Sequence, residues 1–339
     1  MGNIQKMEEG FVENKIVYHY CSTEKAYNIL HGRTIRLSDI IKSNDRLEMS
    51  ILFPEYFDDL LKIYDELDGC ESTFDYNEKI DGDTWREFVT DLKWHVTKLL
   101  EEGRISTYVM CFSEKGDLLS QWRGYADDAQ GMALGFDFNM LKKYAVNSGL
   151  LELKKVIYLT EQERKDLVYE SAKEVFHIVN ILLQARRDGG IVIKAGSKFG
   201  NYIFENICWN ILQQVNDTIC YKMDGFEEER EWRLYFDNSI NKDLSKCEVV
   251  RYLGNNEYQN QQAVDFINQR LDFQPTQKDI IPYLRITFEE IEAGERDIIR
   301  EIIIGPCNSI DESTMKLFLQ KQKIENCVFR NSKVKYTRR

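Results

Sequence analysis

The 339-residue sequence predicts an α+β fold on three observations. Short β-type segments are spread along the chain, long helical stretches interrupt them, and no internal repeat or Pro/Gly-rich linker divides them. The composition is that of a globular protein, with 43 % apolar residues and four prolines. We therefore predict a single α+β domain over residues 1–339, with helical insertions at about 47–104 and 160–215.

Ten segments have the composition of strands, with polar or glycine residues at their ends. The first is Lys15–Cys21. A helix follows it, which Ser22 or Thr23 can cap and which ends at Gly32. The other predicted strands, in chain order, are Thr34–Ser38, Ile105–Ser113, Gly131–Asp137, Leu153–Leu159, Glu229–Phe236, Val249–Leu253, Ile281–Phe288, Ile298–Gly305 and Val328–Tyr336.

Three longer stretches have the apolar spacing of helices. Glu48–Gly103 repeats apolar residues every three or four positions, which predicts helix through most of this range. Thr160–Val215 is predicted to form two helices interrupted at Asp188–Gly190, and Asp311–Gln322 a further one. Helices of this length between strands favour insertions into one domain over two tandem domains.

Charge and cysteine spacing exclude several classes of protein. The net charge of −12 argues against broad non-specific affinity for nucleic acid. No apolar run approaches the ~20 residues that cross a bilayer, so no membrane association is expected. No two of the eight cysteines are two to four residues apart, and no metal-binding motif is visible. We expect a cytoplasmic, reduced protein without a metal cofactor.

The most informative segment is Phe226–Phe236, where carboxylates run directly into an aromatic strand. If Glu229–Tyr235 is extended, its side chains alternate between two faces. Arg230, Trp232, Leu234 and Phe236 share one face, which is predicted to belong to the core. Glu229, Glu231 and Arg233 share the other face, where burial of so many charges is costly. A solvated edge strand remains the structural alternative.

A second candidate group lies at the first strand and in the segment after the third. His19 stands near the end of Lys15–Cys21, just before a polar Ser-Thr pair. The segment Cys111–Asp127 is predicted to be a loop rich in hydrogen-bonding and stacking groups. The candidate residues in these regions are Tyr20, Ser22, Ser113, Gln121, Trp122, Arg123 and Tyr125. They are suited to line a pocket for a planar, polar ligand. Structural roles for His19, as a core residue, and for the loop, with Trp122 as a core anchor, remain open.

Several motifs, taken in order, resemble the bacterial family catalogued as domain of unknown function 2971. The resemblance spans roughly residues 16 to 310, and its most specific parts are Ser120–Tyr125 and Glu229–Arg233. It is carried by Tyr18–Thr23 with Asn28–Gly32, Cys111–Ser113 with Leu118–Ala126, Phe226–Arg233 and Ile302–Pro306. This family carries no stated activity.

A weaker resemblance suggests an activity. A histidine in the first strand, followed by Ser/Thr, a helix and a second strand, is similar to ADP-ribosyltransferases, above all the DNA-modifying toxin and RNA 2′-phosphotransferase branches. These proteins carry a Glu-x-Glu motif on a late strand, and Glu229-Arg230-Glu231 fits it. The resemblance implies a split, mixed or antiparallel sheet as the core. It also implies a transferase that uses NAD as substrate, such as a toxin or a phage-defence effector.

Transferred residue by residue, the resemblance implies that His19 holds a ribose hydroxyl of NAD and that Glu231 is the catalytic carboxylate. Glu229 orients or deprotonates the acceptor, which is a macromolecule (protein or nucleic acid) or water. Arg123 binds the pyrophosphate, and Ser113 occupies the motif position on the middle strand. Because that strand supplies Phe112-Ser113 and no unambiguous tyrosine, three aromatic residues are candidates to stack on nicotinamide: Phe112, Trp122 and Tyr125.

Two other functions fit the same residues. The first is a binding module that recognises a nucleotide or a nucleic-acid end in the same cleft without chemistry. The second is a nuclease-type effector in which Glu229, Glu231 and Asp127 hold Mg²⁺. Nicotinamide release from NAD distinguishes the transferase from both.

Overall fold

The computed structural model describes residues 15–40, 51–53, 55–67, 82–101, 108–188, 207–208, 210–212, 214–215, 217–236, 257–275 and 279–338. Its strands are β1 Ile16–Cys21, β2 Thr34–Asp39, β3 Tyr108–Ser113, β4 Met132–Asp137, β5 Leu151–Lys155, β6 Ile157–Leu159, β7 Tyr221–Met223, β8 Glu231–Phe236, β9 Leu271–Pro275, β10 Ile280–Thr287, β11 Ile299–Ile304 and β12 Val328–Asn331. Its α-helices are α1 Thr23–Gly32, α2 Tyr56–Glu66, α3 Gly82–Glu101, α4 Leu119–Tyr125, α5 Phe138–Ser148, α6 Glu161–Asp188, α7 Glu257–Arg270, α8 Phe288–Glu292 and α9 Glu312–Lys321.

Ten of the described strands form one mixed sheet. Eight of them follow the order β12-β11-β4-β1-β3-β2-β10-β9, and β8 and β5 extend from β3 as a branch. The pairs are antiparallel except for β11 and β12, which are parallel. The small sheet of β6 and β7 is also parallel. The predicted α+β class and mixed sheet are therefore confirmed.

The sheet branches at β3. One edge of β3 pairs with β8 along its full length, from Tyr108 opposite Phe236 to Ser113 opposite Glu231. The other edge is shared: Ser113 pairs with Tyr18 of β1, whereas Val109 and Tyr108 pair with β2. Between these contacts β1 and β2 diverge, and no described strand pairs with residues 110–112 on that edge. The sheet is open at this point.

Apolar side chains cover both sides of the branch. The largest cluster joins one face of β3 and β8 to α1, α5, α8 and α9, and its central members include Phe112, Trp232 and Leu234. A smaller cluster on the other face joins Val109 to Tyr235 and Ile219. The alternation predicted for β8 is thus confirmed from Glu231 onward, where paired residues share a face.

The two predicted helical insertions pack against each other. Helices α2 and α3 lie between β2 and β3, and α6 follows β6. Their apolar faces form a second cluster with residues 207–208, 211–212 and 215, in which Trp85 and Phe176 are in edge-to-face contact. The insertions therefore bury each other's apolar surface beside the sheet.

The structure corrects three local predictions. Glu229 and Arg230 do not belong to β8, because residues Asp224–Glu229 form a 3-10 helix and Arg230 takes a left-handed conformation with φ 45°. The predicted loop Cys111–Asp127 contains the helix α4. The stretch Leu153–Leu159 is divided between β5 and β6. The predicted strand Val249–Leu253 lies outside the described residues.

The predicted limits of α1 are confirmed. Ser22 caps this helix and accepts a hydrogen bond from the Lys25 backbone nitrogen at 3.2 Å. The helix ends at Gly32, and the next residue, Arg33, takes the left-handed conformation. The Arg33 side chain is held by Glu292 at 2.8 Å, a tertiary contact that helps to fix it in this position. Within the described part of the chain, no helix combines the length and apolar character that spanning a membrane requires.

We expect two glycines near α4 to respond oppositely to a methyl group. A Cβ at Gly131 would lie 2.0 Å from the Cys21 carbonyl oxygen, whereas Gly124 has no atom within 4 Å. Gly131→Ala should therefore lower the free energy of unfolding by more than about 2 kcal/mol. Gly124→Ala should leave it unchanged or raise it by up to about 1 kcal/mol, because alanine favours the helix. Urea unfolding measures both, and equal stability of the two variants would contradict this packing.

Candidate functional site

A cavity of about 770 Å³ opens where β1 and β2 diverge. Its walls come from β1, α1, β2, β3 and α4, with further side chains from β7, β8, β9, β10 and the 3-10 helix Asp224–Glu229. The cavity contains most of the candidate residues named from the sequence: His19, Tyr20, Ser113, Gln121, Tyr125, Glu229 and Glu231. Residues far apart in the chain thus meet because the sheet is open there.

The imidazole of His19 lies at the edge of the opening. Its Nδ1 is 2.9 Å from the Cys111 carbonyl oxygen. A carbonyl can only accept, so Nδ1 carries the proton and donates it, and Nε2 is left as an acceptor. Burial, opposed by the Cys111 carbonyl and reinforced by the charge of Lys25, lowers the pKa of His19 to about 4. The ring is therefore neutral at physiological pH, and its Nε2 is suited to accept a hydrogen bond from a hydroxyl group.

Glu231 is the most buried carboxylate of the cavity wall, at 5 % exposure. Arg233, which has no exposed surface, donates Nε to Oε1 at 2.8 Å and a terminal nitrogen to Oε2 at 3.1 Å. Burial by itself would raise the pKa of Glu231, but the charge and hydrogen bonds of Arg233, with the charge of Lys222, lower it. Glu231 is therefore ionised inside the protein.

Lys222 connects the two acidic residues of the Glu-x-Glu motif. Its Nζ lies 2.7 Å from Glu229 Oε2 and 3.3 Å from Glu231 Oε2. Although Glu229 lies outside β8, its carboxylate remains beside that of Glu231 because both contact this ammonium group. The Tyr125 hydroxyl donates to Glu229 Oε1 at 2.8 Å. Together with Arg233, the two carboxylates and Lys222 form a charged cluster with two positive and two negative groups.

Ser113 stabilises the backbone that carries Glu229. Its hydroxyl donates to the Glu229 carbonyl at 2.7 Å and accepts from the Lys115 backbone nitrogen at 3.1 Å. The hydroxyl is thus engaged in protein contacts at the cavity wall. The hydroxyl of Tyr20 is engaged in the same way, since it donates to the Lys115 carbonyl and accepts from the Leu118 nitrogen.

Helix α4 presents Gln121 and Tyr125 one turn apart, so both side chains lie on the same face of the helix, toward the cavity. Gln121 is 6 % exposed, and its amide nitrogen is buried without a hydrogen-bond partner among the described residues. A buried donor without a partner costs about 1–3 kcal/mol. A ligand oxygen that reached this nitrogen would supply the missing bond.

Three candidates named from the sequence do not line the cavity. Ser22 is occupied as the cap of α1. Trp122 has no exposed surface, donates its ring nitrogen to Asp117 at 2.8 Å and packs edge-on against Tyr20, so it cannot stack on a ligand. Arg123 lies on the exposed face of α4, above the ring of Tyr336. The aromatic candidates that remain at the cavity are Phe112, which is 2 % exposed, and Tyr125, which is 49 % exposed.

Three basic residues of the cavity were missed by the sequence reasoning. Lys25 comes from α1, Arg36 from β2 and Lys222 from β7. Arg36 donates to Gln274 at 2.8 Å and lies over the Tyr283 ring. Nothing in the local sequence marks these residues, since their meeting depends on how α1, β2 and β7 are arranged around the cavity. They supply the positive charge that was expected from Arg123.

The turn after α4 has a strained backbone. Asp127, Asp128 and Ala129 all have positive φ angles, of 51°, 48° and 71°. Aspartate tolerates this region, but alanine there costs about 1–2 kcal/mol. Asp127 does not line the cavity and lies apart from the charged cluster, so it does not join Glu229 and Glu231 as the proposed Mg²⁺ set requires. Among the described residues, no group of three or more His, Cys, Asp or Glu is arranged to hold a metal ion.

The fold and the cavity define a mixed α+β protein with a buried, charged site at an opening in its sheet. The family model described as protein of unknown function (DUF2971) matches residues 121–234. This range extends from Gln121 on α4 to Leu234 on β8 and includes the charged cluster. The resemblance to this family predicted from the sequence is confirmed over that range. No curated protein and no solved structure matches the chain significantly.

We expect the pH dependence of stability to report the burial of His19. Its pKa is about 4 in the folded protein and 6.5 in a model peptide, so between these values the unfolded chain binds a proton that the folded protein does not. The contribution is complete above pH ~6.5 and is lost as the pH falls toward ~4. At pH ~5 the loss should be at most about 2 kcal/mol.

Urea unfolding at pH 7.5 and pH 5 measures this loss, with His19→Gln as the matched variant. The variant should lose less stability than the wild type over this interval, because Gln does not titrate. An equal loss in both proteins would contradict the buried, neutral state of His19.

Proposed function

We propose that the cavity binds NAD and that the protein transfers its ADP-ribose group to a macromolecular acceptor or to water. The observation that carries the proposal is the joint presence of His19 and Glu231 at one cavity where the sheet opens. One is a neutral acceptor and the other a fixed, ionised carboxylate. Both kinds of group suit the proposed reaction. The neutral acceptor can hold a ribose hydroxyl, and the carboxylate can stabilise the positive charge that develops on the sugar.

The reaction breaks the bond between the nicotinamide nitrogen and the ribose C1′. Nicotinamide leaves with the bonding electron pair, and positive charge develops over C1′ and the ring oxygen. The Glu231 carboxylate, in hydrogen-bond contact with a ribose hydroxyl, stabilises this charge more in the transition state than in the ground state. A hydroxyl, amine or water of the acceptor then bonds to C1′ and loses its proton. Glu229, beside Glu231, is the proposed base for that proton.

Other cavity residues suit the remaining parts of NAD. Neutral His19 accepts a ribose hydroxyl through Nε2. Tyr125 offers an exposed aromatic face beside Glu229, suited to stack on nicotinamide. Lys25 and Arg36 replace Arg123 as the proposed partners of the pyrophosphate.

One feature favours the binding module as the second candidate. Arg233 and Lys222 both contact Glu231 and compensate its negative charge. This compensation weakens the field available to a developing cation. A protein that only recognises a nucleotide has no need of an uncompensated carboxylate. NAD affinity without nicotinamide release would favour this alternative.

Replacing the proposed catalytic carboxylate tests the transferase directly. We expect Glu231→Gln to lower the rate of nicotinamide release from NAD by at least about 100-fold. Gln keeps the size of the side chain but removes the charge that faces the buried Arg233, so circular dichroism is used to establish that the variant is folded before the rates are compared. Glu228→Gln is the matched control, because Glu228 is exposed in the same acidic segment and should keep the wild-type rate. The nicotinamide released by each protein is measured by chromatography. If the wild type releases none with protein, nucleic acid or water as acceptor, the proposal is refuted.

A further inference from the structure

We propose that residues Arg330–Arg338, which we call the strap, position the cavity by holding both ends of α4. The strap includes the end of β12 and runs behind α4, on the side away from the cavity. It contacts neither His19 nor Glu231, so its residues act through the helix. The inference concerns the binding wall itself and does not depend on which ligand the cavity takes.

The first attachment is at Asp117, just before α4. Its Oδ1 accepts the Ser332 hydroxyl at 2.5 Å, and its Oδ2 accepts the Lys333 backbone nitrogen at 2.7 Å and the Arg330 guanidinium at 3.4 Å. The same carboxylate accepts the ring nitrogen of Trp122. Asp117 thus connects the strap to the side chain that anchors α4 in the core.

The second attachment is at Asp128, in the strained turn that follows α4. Its Oδ1 accepts the Tyr336 hydroxyl at 2.8 Å, and Arg338 Nε lies 3.4 Å from Oδ2. Asp128 is the middle residue of the three with positive φ angles. A backbone of this kind persists where surrounding contacts hold it, and the strap supplies contacts to its central residue.

Apolar contacts connect the two attachments. Val334 and Tyr336 pack against a small cluster that contains Trp122 and Ala126, both without exposed surface. Beyond β12, the strap continues the strand pairing only through the Ser332 nitrogen, which donates to the Ile304 carbonyl at 2.9 Å. The strap also contacts residues outside α4, since Arg330 pairs with Glu301 at 2.7 Å and Cys307 lies against Tyr336. Its contacts with α4 and the flanking residues are those that link the strap to the cavity wall.

A change in the position of α4 would alter the cavity wall through the side chains of Gln121 and Tyr125. Both lie on the helix face opposite the strap, and the Tyr125 hydroxyl contacts Glu229. If the strap detaches, Asp117 and Asp128 lose the side-chain and backbone donors that the strap supplies. Bonds such as that from the Leu118 nitrogen to the Tyr20 hydroxyl remain, so α4 is held at fewer points. The wall that carries the unpartnered Gln121 amide should then move, while the strands that carry His19 and Glu231 stay in place.

Hydrogen exchange tests this without any ligand. Three changed proteins are compared with the full chain: a chain that ends after Asn331, Asp117→Asn and Tyr336→Phe. Lys335→Ala is the matched control, since this residue of the strap is exposed. We expect exchange in peptides covering residues 118–130 to become at least about tenfold faster in the shortened chain and in Asp117→Asn, and by a smaller factor in Tyr336→Phe. Peptides of β3 and β8 should keep their rates.

Two results would overturn the inference. One is an unchanged rate in residues 118–130, and the other is an equal acceleration in β3 and β8, which would indicate general destabilisation. The point variants keep the test decisive if the shortened chain fails to fold. Tyr336→Phe removes only the hydroxyl that binds Asp128, whereas Asp117→Asn changes a carboxylate that contacts both the strap and Trp122.

A kinetic measurement separates positioning from catalysis, and it rests on the proposed function. With NAD as substrate, Asp117→Asn should raise KM by about tenfold while kcat changes by less than about threefold. A fall in kcat at constant KM would contradict the role of α4 as a binding wall. If the wild type releases no nicotinamide, the proposed function fails, whereas hydrogen exchange still decides the role of the strap.

Discussion

The structure depends on how one edge of β3 is completed. On that edge β1 pairs with one end of the strand and β2 with the other, and the Cys111 carbonyl between them is satisfied by the side chain of His19 at 2.9 Å. A buried carbonyl without a partner is costly, so the imidazole takes the place of a neighbouring strand. This substitution keeps the sheet open and fixes the tautomer of His19 at the same time. The opening of the sheet and the tautomer of His19 are thus both tied to the hydrogen bond between His19 and the Cys111 carbonyl.

The opposite edge of β3 supplies the charges. Full pairing with β8 sets Glu231 beside Ser113 and buries Arg233, and a buried arginine requires a nearby carboxylate. Lys222 then brings Glu229 to the same place. The cluster is balanced in formal charge, which accounts for its burial in a protein of net charge −12. Its position beside the opening is what gives it a proposed function beyond stability.

The sequence predicted those features that local patterns determine. Alternation located β8 from Glu231 onward, composition located most other strands, and Ser22 marked the start of α1. Features set by tertiary contacts were missed. Glu229 leaves the strand because Arg230 turns left-handed, and Trp122 is buried with its ring nitrogen on Asp117. Lys25 and Arg36 reach the cavity because α1 and β2 both border it. The position of Arg123 beside a sequence motif does not determine on which face of α4 its side chain lies.

The central claim is that His19 offers a neutral Nε2 acceptor to a ligand in the opening, and nitrogen NMR tests it most directly. The chain has four histidines, so His19 can be assigned with the His19→Gln variant. At pH 7 a long-range proton–nitrogen spectrum should show the tautomer protonated at Nδ1, and added NAD should shift the Nε2 signal as it accepts a hydrogen bond. An Nε2-protonated or doubly protonated ring, or an Nε2 signal indifferent to saturating NAD, would contradict the account.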